Sequence, residues 1–129
     1  MKSRRKFIQN LSAFGAALGF PISSMGENNA KQKMIHQVFF WLHPGQDVKA
    51  FILEASKLKR CKSVGKFYIG TPAPTEARDV VDHSYQVACT FFFYSLDDQE
   101  MYQKDPIHLE FIEKNSNKWA KVRVYDFVI

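Results

Sequence analysis

HSYQVACTFFFYSLDDQEMYQKDPIHLEFIEKNSNKWAKVRVYD, residues 83–126, is the stretch that decides the fold. His83 to Tyr94 is dense in β-branched and aromatic residues and reads as a long strand. Ser95 stands three residues before Asp98, the spacing of a capping box, so a short helix starts at Leu96 and runs to Lys104. Asp105 caps the next helix, and Pro106 takes its first position, where a missing N–H costs nothing. Ser116 and Asn117 end that helix, and a last strand runs from Lys121 to Val128.

Upstream, Met34 to Leu42 is a strand by the same composition, and His43-Pro44-Gly45 ends it. From Asp47 to Arg60, Val48, Phe51, Ile52, Ala55 and Leu58 recur at helical spacing, with lysines and Glu54 opposite. Val64 to Ile69 reads as the second strand, closed by Gly70. Two prolines in Thr71-Pro72-Ala73-Pro74-Thr75 cannot sit inside a sheet, so 71–79 is a loop. The order is β-α-β-β-α-β, an α+β ferredoxin-like arrangement. It predicts a four-stranded antiparallel sheet in spatial order 4-1-3-2 with the helices on one face.

Period-2 alternation sorts the strand residues. One set holds His36, Val38, Phe40 and Leu42; Tyr85, Val87, Cys89, Phe91 and Phe93; Val122, Val124 and Asp126. The other holds Phe39 and Trp41; Ala88, Thr90, Phe92 and Tyr94; Tyr125 and Phe127. The first is more regularly aliphatic and is assigned to the helices. The second is also strongly apolar, and soluble monomers rarely show water so broad an aromatic surface. A homodimer packed sheet against sheet is the expected solution.

The N-terminal 26 residues have a different character. Ser3-Arg4-Arg5-Lys6-Phe7-Ile8 resembles a twin-arginine export motif. The apolar run behind it, Leu11 to Ile22, is short and broken by Gly15, Gly19 and Pro21, unlike a membrane span. The expected organisation is a signal peptide over 1–26, a flexible lead-in over 27–33 and a single domain over 34–129. The expected address is the bacterial periplasm, with no stable membrane anchor. Removing the leader takes the formal charge from +5 to +1, because 14 basic and 13 acidic residues remain. That leaves no clustered basic footprint for nucleic acid. Cys61 and Cys89 match no metal or redox spacing and read as two small buried thiols, although an exported protein could pair them.

Four residues are candidates for chemistry: His36, Tyr102, His108 and Asp126. With strand 4 antiparallel beside strand 1, His36 and Asp126 become neighbours on the helix-facing side. A carboxylate beside an imidazole fixes its tautomer. The last long helix brings His108, and the short one Tyr102, over the same space. Two histidines, a tyrosine and an aspartate around an apolar hollow suit general acid–base work on a small molecule. Plain structural roles stand beside each: a satisfied polar pair at His36, a rim hydrogen bond at His108, packing at Tyr102. His43 reads as a turn residue and His83 as a rim residue.

Ile35-His36, Tyr102-Gln103-Lys104-Asp105-Pro106-Ile107-His108 and Tyr125-Asp126-Phe127 together resemble the stress-responsive A/B barrel (Dabb) family. The likeness covers Met34 to Val128 and implies a dimeric α+β barrel with a pocket between sheet and helices. A plant branch of that family contains polyketide cyclases using a strand histidine, a helix histidine and a tyrosine. Carried over, these are His36, His108 and Tyr102. Cys61-Lys62-Ser63 departs from the family pattern, which commonly has a proline before the second strand.

The leading expectation is a homodimer that binds a small hydrophobic molecule, with weak acid–base chemistry. A cyclase- or monooxygenase-like enzyme and a ligand-free stress-protective or structural oligomer are the alternatives. No metal is expected, since nothing pins further ligands beside His36 and His108. No cofactor is expected either. Haem, known from other proteins of dimeric-barrel form, would have His108 as its axial candidate but no accompanying motif.

Overall fold

Strict alternation along β1 (Met34–Leu42) organises the molecule: Met34, His36, Val38, Phe40 and Leu42 are buried, and the residues between them are not. The structure, a computed structural model, describes residues 31–129. The expected leader, and most of the lead-in, lie outside the described residues. After β1 come α1 (Val48–Ala55), a 3₁₀ turn (Ser56–Arg60), β2 (Lys66–Gly70) and β3 (Val87–Phe93). They are followed by α2 (Leu96–Lys104), α3 (Pro106–Asn115), a short 3₁₀ turn (Ser116–Lys118) and β4 (Trp119–Val128). The four strands form one antiparallel sheet in the order β2-β3-β1-β4, the order read from the sequence.

The caps act at the expected positions. Asp47 accepts from Ala50 N–H at 3.0 Å, Ser95 from Asp98 N–H at 3.0 Å, and Asp105 from Ile107 N–H at 2.8 Å. Each satisfies a donor that the first helical turn leaves without an intrahelical partner. All three helices cover one face. Phe51, Ala55 and Leu58 come down on it from one side, and Tyr102, His108, Phe111 and Ile112 from the other. Phe40 is the hub, with ring centroids 5.0 Å from Phe51, 5.2 Å from Trp119 and 6.2 Å from Phe111.

Three expectations are corrected. The helix expected over Asp47 to Arg60 is α-helical only to Ala55, then tightens into 3₁₀ geometry. Ser56 Oγ donates to the Ile52 carbonyl at 2.6 Å, and such back-bonding competes with the helical ladder. The third strand starts at Val87 rather than His83. The chain bends at Gln86, whose side-chain oxygen accepts from Leu42 N–H at 2.7 Å. That bend breaks the alternation, so Tyr85 lies on the outer face against Phe39, with centroids 5.0 Å apart, and not under the helices. The second strand begins two residues later than expected, at Lys66. Gly65 precedes it because a Cβ there would lie 2.7 Å from the Tyr94 ring and 2.9 Å from the Phe92 carbonyl oxygen.

The outer face carries Phe39, Trp41, Phe92, Tyr94, Tyr125 and Phe127. Tyr94 is 54%, Tyr125 53% and Phe127 48% exposed. Lys66 and Lys121 lie over Phe92 and Trp41 at 5.3 and 4.4 Å from the ring centroids. No helix among the described residues is long and apolar enough to cross a membrane.

Candidate functional site

Register puts the first two candidates together. His36 is paired with Asp126 across β1 and β4. The imidazole is 4% exposed, and its Nδ1–H donates to Asp126 Oδ1 at 2.5 Å. A carboxylate only accepts, so this bond fixes the proton on Nδ1. Nε2 of His36 then makes no hydrogen bond among the described residues. Around the ring lie Phe91, Tyr102 and Phe93, with centroids at 5.4, 5.9 and 6.1 Å.

The other two candidates come from the junction of α2 and α3. Tyr102, in the last turn of α2, is 2% exposed, and its ring lies 4.4 Å from that of His108. Asp105 ends α2, donating its N–H to the Tyr102 carbonyl, and starts α3 with its side chain. That double role fixes how Tyr102 and His108 face one another. His108 Nδ1–H donates to the Gln103 carbonyl at 3.1 Å. A carbonyl too is acceptor-only, so His108 has the same arrangement as His36: Nδ1 anchored, Nε2 left over. Cys61 sits at this junction, its thiol against the Asp105 carboxylate and the backbone of His108.

A cavity of about 270 Å³ opens between the sheet and the helices. His36, Tyr102, Gln103 and His108 are its polar walls. Val38, Phe40, Leu58, Cys89, Phe91, Phe111, Ile112, Trp119, Val122 and Val124 supply the rest. Asp126 is not on the wall. It stands behind His36, half exposed, and acts on the cavity only through that ring. Among the described residues, the sealed polar side-chain atoms without a partner are Ser63 Oγ and Ser116 Oγ. The Nε2 atoms of His36 and His108 and the Tyr102 hydroxyl are therefore open to the cavity. His43 is exposed, and His83, also exposed, has its Nε2 2.9 Å from Thr75 Oγ1, away from this site.

Burial governs the ionisation of these groups. His108 is pushed down to about 4 by desolvation, with nearby His36 adding to the effect, so it is neutral at pH 7. Tyr102 is held well above the usual phenol range, first by burial and then by Cys89, Cys61 and Asp105 nearby, so it keeps its proton. The thiols of Cys61 and Cys89 are both raised to about 12, chiefly by burial. Both are free and buried. Among the described residues no group of three or more His, Cys, Asp or Glu side chains could hold a metal ion.

Sequence reasoning did not find the Gln103 carbonyl, which anchors His108. The signal was faint: Asp105-Pro106 forces a break that leaves the last carbonyls of α2 unused.

A four-stranded antiparallel sheet with its helices on one face defines a ferredoxin-like α+β domain, and this one has its cavity between the two layers. Residues 34–129 match the Stress responsive A/B Barrel Domain model, and the chain belongs to that Dabb family. No curated protein matches it. Several solved structures are similar in fold. A hydroxynitrile lyase from Passiflora edulis superposes with a TM-score of 0.65 at 19% identity, over 77% of this chain and 94% of that one. A Dabb family protein from Mesorhizobium loti gives 0.62 at 21% identity, over 76% and 97%. A dimeric ferredoxin-like protein of unknown function from Thermobifida fusca gives 0.62 at 17%, over 76% and 92%.

Proposed function

We propose that this protein is an exported homodimer that binds a small, largely apolar molecule in the cavity between sheet and helices. One observation carries the reading: three polar atoms, His36 Nε2, His108 Nε2 and the Tyr102 hydroxyl, meet an apolar hollow without a protein partner among the described residues. Buried polar groups ordinarily find partners, and a ligand or water is the partner such atoms are built for. Support for the dimer comes from the exposed outer face and from the Thermobifida fusca relative, which is described as dimeric. Support for export comes from Ser3-Arg4-Arg5-Lys6-Phe7-Ile8.

Native mass spectrometry of the protein purified from the periplasm tests the binding reading. A small molecule retained by the native protein and lost from His108→Ala supports it. An empty protein that also takes up no apolar molecule in solution contradicts it. For the dimer, Phe92→Lys would set an unpaired charge in the interface. Sedimentation should then show monomer or aggregate, and an unchanged dimer would contradict the chosen face.

Catalysis is the second reading. A neutral imidazole beside a protonated phenol forms an acid–base pair in a water-poor site, the arrangement that proton transfer to or from a substrate requires. The Passiflora edulis relative is a lyase, which makes acid–base chemistry in this fold reasonable to test.

A further inference from the structure

We infer that the outward side of α1 and of the 3₁₀ turn after it is a membrane-contact surface. Its lysines and arginine meet anionic phospholipid headgroups, and Leu53 enters the acyl boundary between them. This surface is separate from the cavity and does not depend on what the cavity binds.

Charge is segregated along the chain. Residues 47–66 hold six basic and two acidic residues, whereas the rest of the described chain holds eight basic and ten acidic. The fold turns most of that basic run outward. In the 3₁₀ turn Leu58 is buried, and Lys57, Lys59 and Arg60 are exposed on either side of it. Lys62, just past the turn, is exposed too, as is Lys49 near the start of α1. The acids on this side are occupied. Asp47 caps α1, Glu54 pairs with Lys57, and Glu110, across a shallow groove on α3, pairs with Lys114. Lys49, Lys59, Arg60 and Lys62 have no ion-pair partner among the described residues.

Leu53 supplies the apolar half. Phe51 and Ala55 fasten α1 to the core, and Leu53, about 200° around the helix from Phe51, faces away and is 72% exposed. A leucine alone on a surface needs no explanation. This one has Lys49 one turn before it and Lys57 one turn after it, on the same side. Cations gather at a negatively charged bilayer, and an apolar side chain among them gains when it leaves water. A soluble polyanion would use the charges and leave Leu53 in water, so a lipid surface fits the residues better. Four unpaired cations and one leucine fall well short of an anchor, so the contact is reversible. A dimer closed through the outer sheet face leaves this side open on both protomers.

Vesicle co-sedimentation and nanodisc NMR of the full chain test this, with bilayers of phosphatidylcholine alone or mixed equally with phosphatidylglycerol. The mixed vesicles should hold the protein at least about 25-fold more tightly than the neutral ones, and added salt should weaken the binding. Lys59→Ala with Lys62→Ala should cost about 25-fold in affinity, at about 5-fold for each cation, and Leu53→Ser about 5-fold. The cations Lys2, Arg4, Arg5 and Lys6 near the N-terminus are the same in every variant, so a difference between variants reports on the domain. In mixed nanodiscs carrying a spin-labelled lipid, the signals of Leu53 and of residues 57–62 should broaden most. Broadening that is absent or centred elsewhere overturns the inference, as do charge variants that sediment like the native chain. A Leu53→Ser chain with native affinity also overturns it, and would mark the surface as a site for a soluble polyanion.

Discussion

The two faces of the sheet are built from the same kinds of residue and behave differently. On the inner face Phe91 stacks with Phe93 and tilts against Tyr102, and all three rings are closed off by helices. On the outer face Phe92 packs edge-on against Tyr94, and Lys66 lies over Phe92 in solvent. The polar groups differ most. Inside, each imidazole spends one nitrogen on an anchor and holds the other at a cavity. Outside, Trp41 Nε1 donates to Ser84 Oγ at the exposed rim. A polar group acquires a defined protonation state and direction where water is scarce, and stays interchangeable where it is not.

The largest separation between the faces should come from truncating neighbours on one strand. Phe91→Ala removes a fully buried ring and should cost about 3–5 kcal/mol in denaturant unfolding, whereas Phe92→Ala should cost well under half of that at monomer concentrations. Equal losses would mean that the outer face is buried as deeply as the inner one.

Acid should act next, and above about pH 4 it should act chiefly through His108 on the inner face. His108 titrates near 4 when folded and near its ordinary value of about 6.5 when unfolded. The unfolded chain therefore binds the proton first, and stability falls as pH drops from about 6.5 to about 4. The loss attributable to His108 approaches about 3 kcal/mol. His108→Leu should flatten the unfolding profile across that window relative to the native chain. A variant with the native slope would contradict the buried, neutral assignment.

Smaller effects sharpen the picture. Ser95→Ala removes the cap of α2 and should cost about 1 kcal/mol, read from the denaturation midpoint. Lys121→Ala removes a cation from over Trp41 on the exposed face and should cost about 0.5 kcal/mol.

The sequence made the inner face easier to read than the outer. Strand order, the caps at Asp47, Ser95 and Asp105, and the His36–Asp126 neighbourhood all follow from local signals carried through one topology. Period-2 alternation carried through Gln86 puts Tyr85 on the wrong face, because a side-chain bond to Leu42 N–H bends the chain there. The early end of α1 depends on one hydroxyl bond at Ser56, and the anchor of His108 is a backbone carbonyl. Neither leaves a pattern in residue types. Asp126 pairs with His36 as expected, yet it sits behind the wall, because β4 is an edge strand and its last residues face solvent.

The central claim is that His108 stands neutral in the cavity with Nδ1 protonated and Nε2 bare. Long-range ¹H–¹⁵N correlation spectra of the labelled protein at pH 7 read this directly. A neutral His108 ring is expected, with the proton on Nδ1 and a lone-pair shift at Nε2, the pattern holding down to about pH 5. A proton on Nε2 at pH 7, or a doubly protonated ring, would contradict it.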